Sequence, residues 1–251
     1  MDLNKLHEQV LYSQVRIKTD KAGGSGTIIY SDLAEDGSYH TLAITCHHVV
    51  SEAIAVKNEW DPRVGRERKK EVRQLVTVEF FDWSNVLHGH RPLNWSSDAE
   101  IVAYDADHDM ALLKLRSVKQ APYIARMLAP GEERVVRIGS PCVAVGCALL
   151  HDPVLTHGIV THMGDEIDNK LYYMSNAQII FGNSGGAMFF VTPEEEYKFL
   201  GIPSRIAIAG WSSPITHLGY FSPVTRVHEF FKEQTYQFLT PGSGETEKSC
   251  E

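Results

Sequence analysis

The feature that most constrains this chain is the shortness of its apolar runs. From residue 14 onward they are brief, and polar turn residues separate them. "SQVRIKT", "TIIYS", "SYHTLAITCHHVV", "LVTVEFFDW", "AEIVAYD", "MALLKLRS", "RVVRIGSP", "VLTHGIVTHM", "KLYYMSNAQII", "GGAMFFVT", "YKFLGIPSRIAIAGW" and "LGYFSPV" follow one another at fairly even spacing. Runs of this length, rich in β-branched and aromatic residues, read as strands. No helical pattern alternates with them, so the chain is predicted to be all-β, a sandwich or barrel, and not a parallel α/β sheet. Two helices flank the β region. Residues 3–14 carry Leu3, Leu6, Val10 and Leu11 at helical spacing, and "TRVHEFFKEQTYQFL" (225–239) offers Val227, Phe230, Phe231 and Phe238 for one buried face.

Between the strands, "KAGGSG" reads as a turn, and 58–73 and 83–98 read as long loops inserted into one scaffold. The basic run "RVGRERKKEVR" (63–73) is expected to be a solvated loop or helix face, because Glu67 and Glu71 interrupt it. One folded domain is expected over 1–239, followed by a disordered polar tail at 240–251. The 251 residues, 43% hydrophobic and 22% charged, are ample for a sizeable core. A net charge of −8 argues against nucleic acid or an anionic membrane as partner.

No segment approaches the ~18 apolar residues of a membrane span. The N-terminus is too polar for a secretory signal. Four cysteines are too few for a disulfide scaffold. A reduced, cytoplasmic setting is therefore expected, with Cys142 and Cys147 as buried free thiols and Cys250 exposed.

The chemistry centres on "IIFGNSGGAMFF" (179–190), where five small or polar residues interrupt an apolar run. Such a stretch is either a tight turn or a backbone arch presenting the Ser184 hydroxyl. A serine becomes a nucleophile when a base takes its proton, and a histidine needs a carboxylate to fix its tautomer. "LAITCHHVV" supplies His47 or His48 at a strand end, and "DADHDMALLKL" supplies Asp107 or Asp109 before a strand. Strand alternation sends the two histidines to opposite faces. The twelve histidines include "HGH" (88–90) and "CHH" (46–48), but no HExxH or paired CxxC spacing, so no metal and no cofactor are expected.

In their order, "GGSGTIIYS", "AITCHHVV", "DMALLKL", "RVVRIGSP", "VLTHGIVTHMG", "NAQIIFGNSGG" and "LGYFSPVTRVHEFF" resemble the trypsin-like, chymotrypsin-fold serine proteases, nearest the HtrA/Deg protease domain. The resemblance runs from about residue 15 to 232. It implies two six-stranded antiparallel β-barrels with a cleft between them. It also implies Ser184 as nucleophile, His48 as base, Asp109 as the orienting carboxylate, and the N–H groups of Gly182 and Ser184 as oxyanion hole. Ser204 falls where such proteases carry a serine bonded to the aspartate.

By the same register the specificity pocket involves Gln178, Ile179, Ile180, Ser204, Arg205, Ile206 and His217. These imply a protein or peptide substrate cut after a small or medium apolar residue, or after Gln or Glu if His217 reads it. Departures from the family are Phe181 in place of proline and Asn183 in place of the aspartate that binds a freshly cut N-terminus. No PDZ-length segment follows residue 239. The oligomeric state stays open, and an inactive or activator-dependent binding protein on the same fold is the alternative.

Overall fold

Strand pairing follows the alternation written in the sequence. In the strand Val76–Asp82, for example, Val76, Val78 and Phe80 are buried while Thr77 and Glu79 are less so. A computed structural model describes residues 2–34, 37–63, 65–83, 92–117, 119–210 and 213–244. Its strands are β1 (Gln14–Lys18), β2 (Gly23–Leu33), β3 (Tyr39–Thr45), β4 (Ile54–Asp61), β5 (Arg66–Arg73), β6 (Val76–Asp82), β7 (Leu93–Asp105) and β8 (Met110–Ser117). They continue as β9 (Pro141–Gly146), β10 (Val154–Ile167), β11 (Lys170–Ser175), β12 (Ala187–Val191), β13 (Tyr197–Ala209) and β14 (Ser213–Pro223).

Two closed six-stranded barrels result, in the orders β1-β2-β3-β8-β7-β6 and β10-β11-β14-β13-β12-β9. The first closes where Arg16, Ile17 and Lys18 pair with Glu79, Val78 and Thr77. The second closes along β9 and β10, from Val154↔Gly146 to Ile159↔Pro141. The first barrel buries Ile17, Ile28, Leu42, Ile44 and Leu113, and the second buries Val143, Val160, Phe189, Phe199 and Phe221. The all-β prediction and the two barrels are both present.

The flanking helices are shorter or less regular than their sequence patterns. α1 (Leu3–Leu6) runs into a π-helical turn, His7–Leu11. Leu6, Val10 and Leu11 are buried, but Leu3 stays in solvent. This helix ties to the second barrel through Lys5 and Gln9, which both donate to the Glu196 carboxylate. The C-terminal helix, α3 (Val224–Glu233), buries Val227, Phe230 and Phe231 and stops before Phe238. Thr235 takes a left-handed φ of 63° and the Tyr236 N–H reaches the Phe231 carbonyl, a Schellman-type end that uses threonine where glycine is usual. Phe238 lies in a separate 3₁₀ turn, Gln237–Leu239.

The predicted loops also changed. The basic run is strand β5, paired with β4 over eight residues from Ile54↔Arg73 to Asp61↔Arg66. This two-stranded ribbon satisfies its backbone by pairing while its charged side chains stay exposed. At its base, Arg73 donates to the carbonyls of Ile101 and Val102. Residues 93–98, expected in a loop, begin β7, where Trp95 stacks on Phe80 at 3.9 Å. The glycines of "GGSG" lie inside β2 and not in a turn, for a reason that the site makes plain.

Candidate active site

β3 ends at Thr45, Cys46 is extended, and the chain then turns into α2 (His47–Val50). Because the two histidines begin a helical turn, they diverge by helical rotation and not by strand alternation. His47 stacks on Tyr104 with ring centroids 5.1 Å apart, and burial lowers its pKa. His48 points instead to Asp109, which occupies a left-handed turn (φ 57°) immediately before β8.

One Asp109 oxygen lies 2.7 Å from His48 Nδ1, and the other accepts the His48 backbone N–H at 2.9 Å. This two-point contact fixes the ring and leaves Nε2 for another partner. Cys46 lies behind the pair, fully buried, its thiol raised by burial and by the Asp109 charge. Donor atoms of Cys46, His48 and Asp109 lie within 4.8 Å of one another. A metal there would have to break the His48–Asp109 hydrogen bond and deprotonate a thiol that its surroundings keep protonated, so an acid–base pair suits these residues better. The "HGH" histidines lie outside the described residues.

Ser184 stands on a backbone arch within the 179–190 stretch, between Ile180 and β12. Asn183 is 4% exposed and folds the arch on itself. Its N–H donates to the Ile180 carbonyl and its Oδ1 accepts the Ile180 N–H, both at 3.0 Å. Gly185 has φ 82°, and a Cβ there would overlap Thr45 Oγ1 and the Ser25 carbonyl. Only glycine meets both demands.

The β2 glycines explain themselves here. The strand passes beneath the arch, where the Ser25 N–H donates to the Ser184 carbonyl at 2.9 Å and a Cβ on Gly24 would crowd that same oxygen. Ser25 is fully buried; its hydroxyl donates to the Gly182 carbonyl and accepts the Cys147 N–H, each at 2.6 Å. The Thr45 hydroxyl in turn donates to the Ser25 carbonyl at 2.7 Å. The sequence reading missed Ser25 as a site residue. Its signal was a hydroxyl between glycines in a segment too apolar on its far side to be a turn.

Among the described residues, neither the Gly182 nor the Ser184 N–H has an acceptor. The Gly182 N–H is aimed by its neighbour: the Phe181 carbonyl accepts the Leu149 N–H at 2.7 Å, and a trans peptide sends the following N–H the opposite way. Ser184 and His48 line one cleft of about 470 Å³, and no hydrogen bond joins them in this structure.

Ile179, Ile180, Ser204, Arg205 and Ile206 line the same cleft, as do Phe181 and Pro203, and Ile208, which the sequence reading did not single out. Gln178 and His217 do not line it. The Gln178 carbonyl is taken by the Thr156 hydroxyl, and His217 is exposed on β14. Ile179 lies against Gly219, where a Cβ would overlap its side chain. Arg205 is directed to Asp168 at 3.1 Å and over the Tyr172 ring. Ser204 Oγ is buried without a partner and so makes no bond to Asp109.

The chain is similar to known proteins along most of its length. Residues 24–194 match the family profile of the trypsin-like peptidase domain. Protease Do-like 5, chloroplastic, of Arabidopsis thaliana is 31% identical over 103 residues, which make up 38% of this chain and 30% of that protein. Two solved structures share the fold. The HtrA-type protease AlgW with a tripeptide has a TM-score of 0.64 at 18% identity, covering 93% of this chain and 63% of that one. The crystal structure of Deg5 has a TM-score of 0.60 at 20% identity, covering 90% of each chain. The chain thus spans under a third of the curated relative and under two thirds of the first of these structures.

Proposed function

This chain belongs to the trypsin-like peptidase family, and on that premise we propose that it is a serine endopeptidase working through an acyl-enzyme. The observation that carries the reading is that Ser184 and the Asp109-bound His48 line one cleft, beside Gly182 and Ser184 N–H groups that have no acceptor among the described residues. Ser184 Oγ attacks the scissile carbonyl and passes its proton to His48 Nε2. Asp109 holds the imidazolium that forms, and the oxyanion takes the N–H groups of Gly182 and Ser184. His48 then protonates the leaving amine, and water repeats the cycle on the ester. The Ser184–His48 hydrogen bond forms as substrate enters, since such bonds are often loose in the free enzyme. Residues 1–239 act as one catalytic unit in this scheme.

The cleft favours a small or medium apolar residue before the cut. Ile179, Ile180 and Ile206 supply apolar wall, and no acidic side chain lines the cleft to hold Lys or Arg. His217 lies outside the lining and so does not select Gln or Glu, and the one cation in the lining, Arg205, is directed to Asp168. A cleavage profile dominated by Arg or Lys would refute this specificity.

The test of the activity is labelling with a fluorophosphonate. Labelling that survives His47→Ala but is lost in Ser184→Ala and His48→Ala supports the assignment. A second reading, activation by a bound partner, rests on the missing Ser184–His48 hydrogen bond. It requires the wild-type labelling rate to rise when a peptide ligand is added, and a constant rate removes it.

A further inference from the structure

We propose that Arg16, on the first barrel, is a positioning residue for the oxyanion hole of the second. The Phe181 carbonyl is held by the Leu149 N–H, and across the trans peptide this fixes the Gly182 N–H in the opposite direction, with no acceptor among the described residues. Leu149 belongs to a short strap, residues 147–151, whose conformation is costly. Leu149 and Leu150 are successive non-glycine residues with φ of 51° and 59°, both largely solvent-exposed. Left-handed leucines persist only where surrounding contacts impose them.

The contacts on this strap come from across the molecule. An Arg16 Nη1 donates to the Leu150 carbonyl at 2.9 Å and lies 3.5 Å from an Asp152 carboxylate oxygen. Arg16 is only 8% exposed and is itself held rigidly. Its Nε donates to Glu79 at 2.6 Å, a second guanidinium nitrogen pairs with the same carboxylate, and the plane rests over the Phe81 ring. A planar, fixed fork satisfies the carboxylate on one edge and the strap carbonyl on the other, which the point charge of a lysine does not do.

The chain of action therefore runs from Glu79 to Arg16, to Leu150 and Leu149, to the Phe181 carbonyl and so to the Gly182 N–H. Arg16 touches no reacting atom. This assignment rests on the protease reading above, and the experiment separates the two.

Arg16→Met, Arg16→Lys and the double variant Arg16→Met/Glu79→Gln are compared with wild type; the double variant removes the carboxylate that the single change would leave short of a partner. Two readouts are taken: kcat and KM on an apolar peptide substrate, and hydrogen exchange of the Leu149 amide. A full oxyanion donor is worth ~10²–10³ in kcat, so a misaimed one should cost about tenfold or more with KM within about threefold. Leu149 protection should fall about tenfold in both Met variants while β1 amides stay protected, and Arg16→Lys should recover kcat only in part. An unchanged kcat in the folded double variant overturns the proposal, whatever exchange shows. If wild type cleaves nothing, the protease reading fails and Leu149 exchange alone decides the clamp: unchanged protection overturns it.

Discussion

Replacing Ser25 with alanine tests the arch directly. The hydroxyl is fully buried and makes two hydrogen bonds at 2.6 Å, to the Gly182 carbonyl and from the Cys147 N–H. Ser25→Ala leaves the buried Cys147 N–H and the partly buried Gly182 carbonyl unpaired, and an unpaired buried group costs ~1–3 kcal/mol. The hydroxyl no longer has to be desolvated, which returns part of that cost, so the net loss should be about 3 kcal/mol. For a domain of this size that corresponds to a fall in Tm of roughly 6–12 °C. The Gly182 peptide also loses one of its two restraints, so kcat on a peptide ester should fall about tenfold or more. Thermal unfolding by circular dichroism and steady-state kinetics on the same preparation give both numbers. A Tm within about 2 °C of wild type together with an unchanged kcat would show that the hydroxyl bridge does not hold the arch.

Gly185→Ala should destabilise by roughly 4 kcal/mol or more, because it combines a φ of 82° with overlap onto Thr45 and Ser25; soluble yield and Tm report it. Cys46, Cys142 and Cys147 should resist alkylation in the native state, since burial raises all three thiols, Cys142 to about 11 and Cys147 to about 12; peptide mapping after iodoacetamide at pH 8, native against denatured, checks this. Burial pushes the Glu79 carboxyl up, but hydrogen bonds from Lys18 and Arg16 outweigh it and hold the pKa below its ordinary 4.5. The stability this contributes is complete above the unfolded value and is lost as pH falls through the lower folded one. The Tm of wild type should therefore drop more steeply below pH 4.5 than that of Glu79→Gln, and parallel curves would contradict the ion pair's role.

The parts legible in sequence were those carried by local pattern. Alternating apolar residues gave the strands, while spacing alone left His47 beside His48 and Asp107 beside Asp109, and only the resemblance to a protease family singled out His48 and Asp109 to go with Ser184. What escaped depended on partners far along the chain. The glycines around Ser25 looked like a turn because nothing local says that a loop 160 residues later will lie across them. The basic run became a strand because 54–61 was there to pair with it, a register no charge pattern reveals. His217 was drawn into the pocket by position alone, and β14 turns it out into solvent. Arg16 was invisible as a site residue, since its partners Glu79 and Leu150 are set by barrel closure and by a strap conformation leucine seldom takes.

Ser25 has one more implication, for how the molecule is divided. Ser184, the proposed nucleophile, belongs to the second barrel by sequence, yet its carbonyl is bonded to β2 and its arch is shaped by side chains of the first. Neither barrel is a module that could be transplanted with its share of the chemistry intact. Two fragments cut between β8 and β9 should each be inert, and reactivity should return only on reassembly.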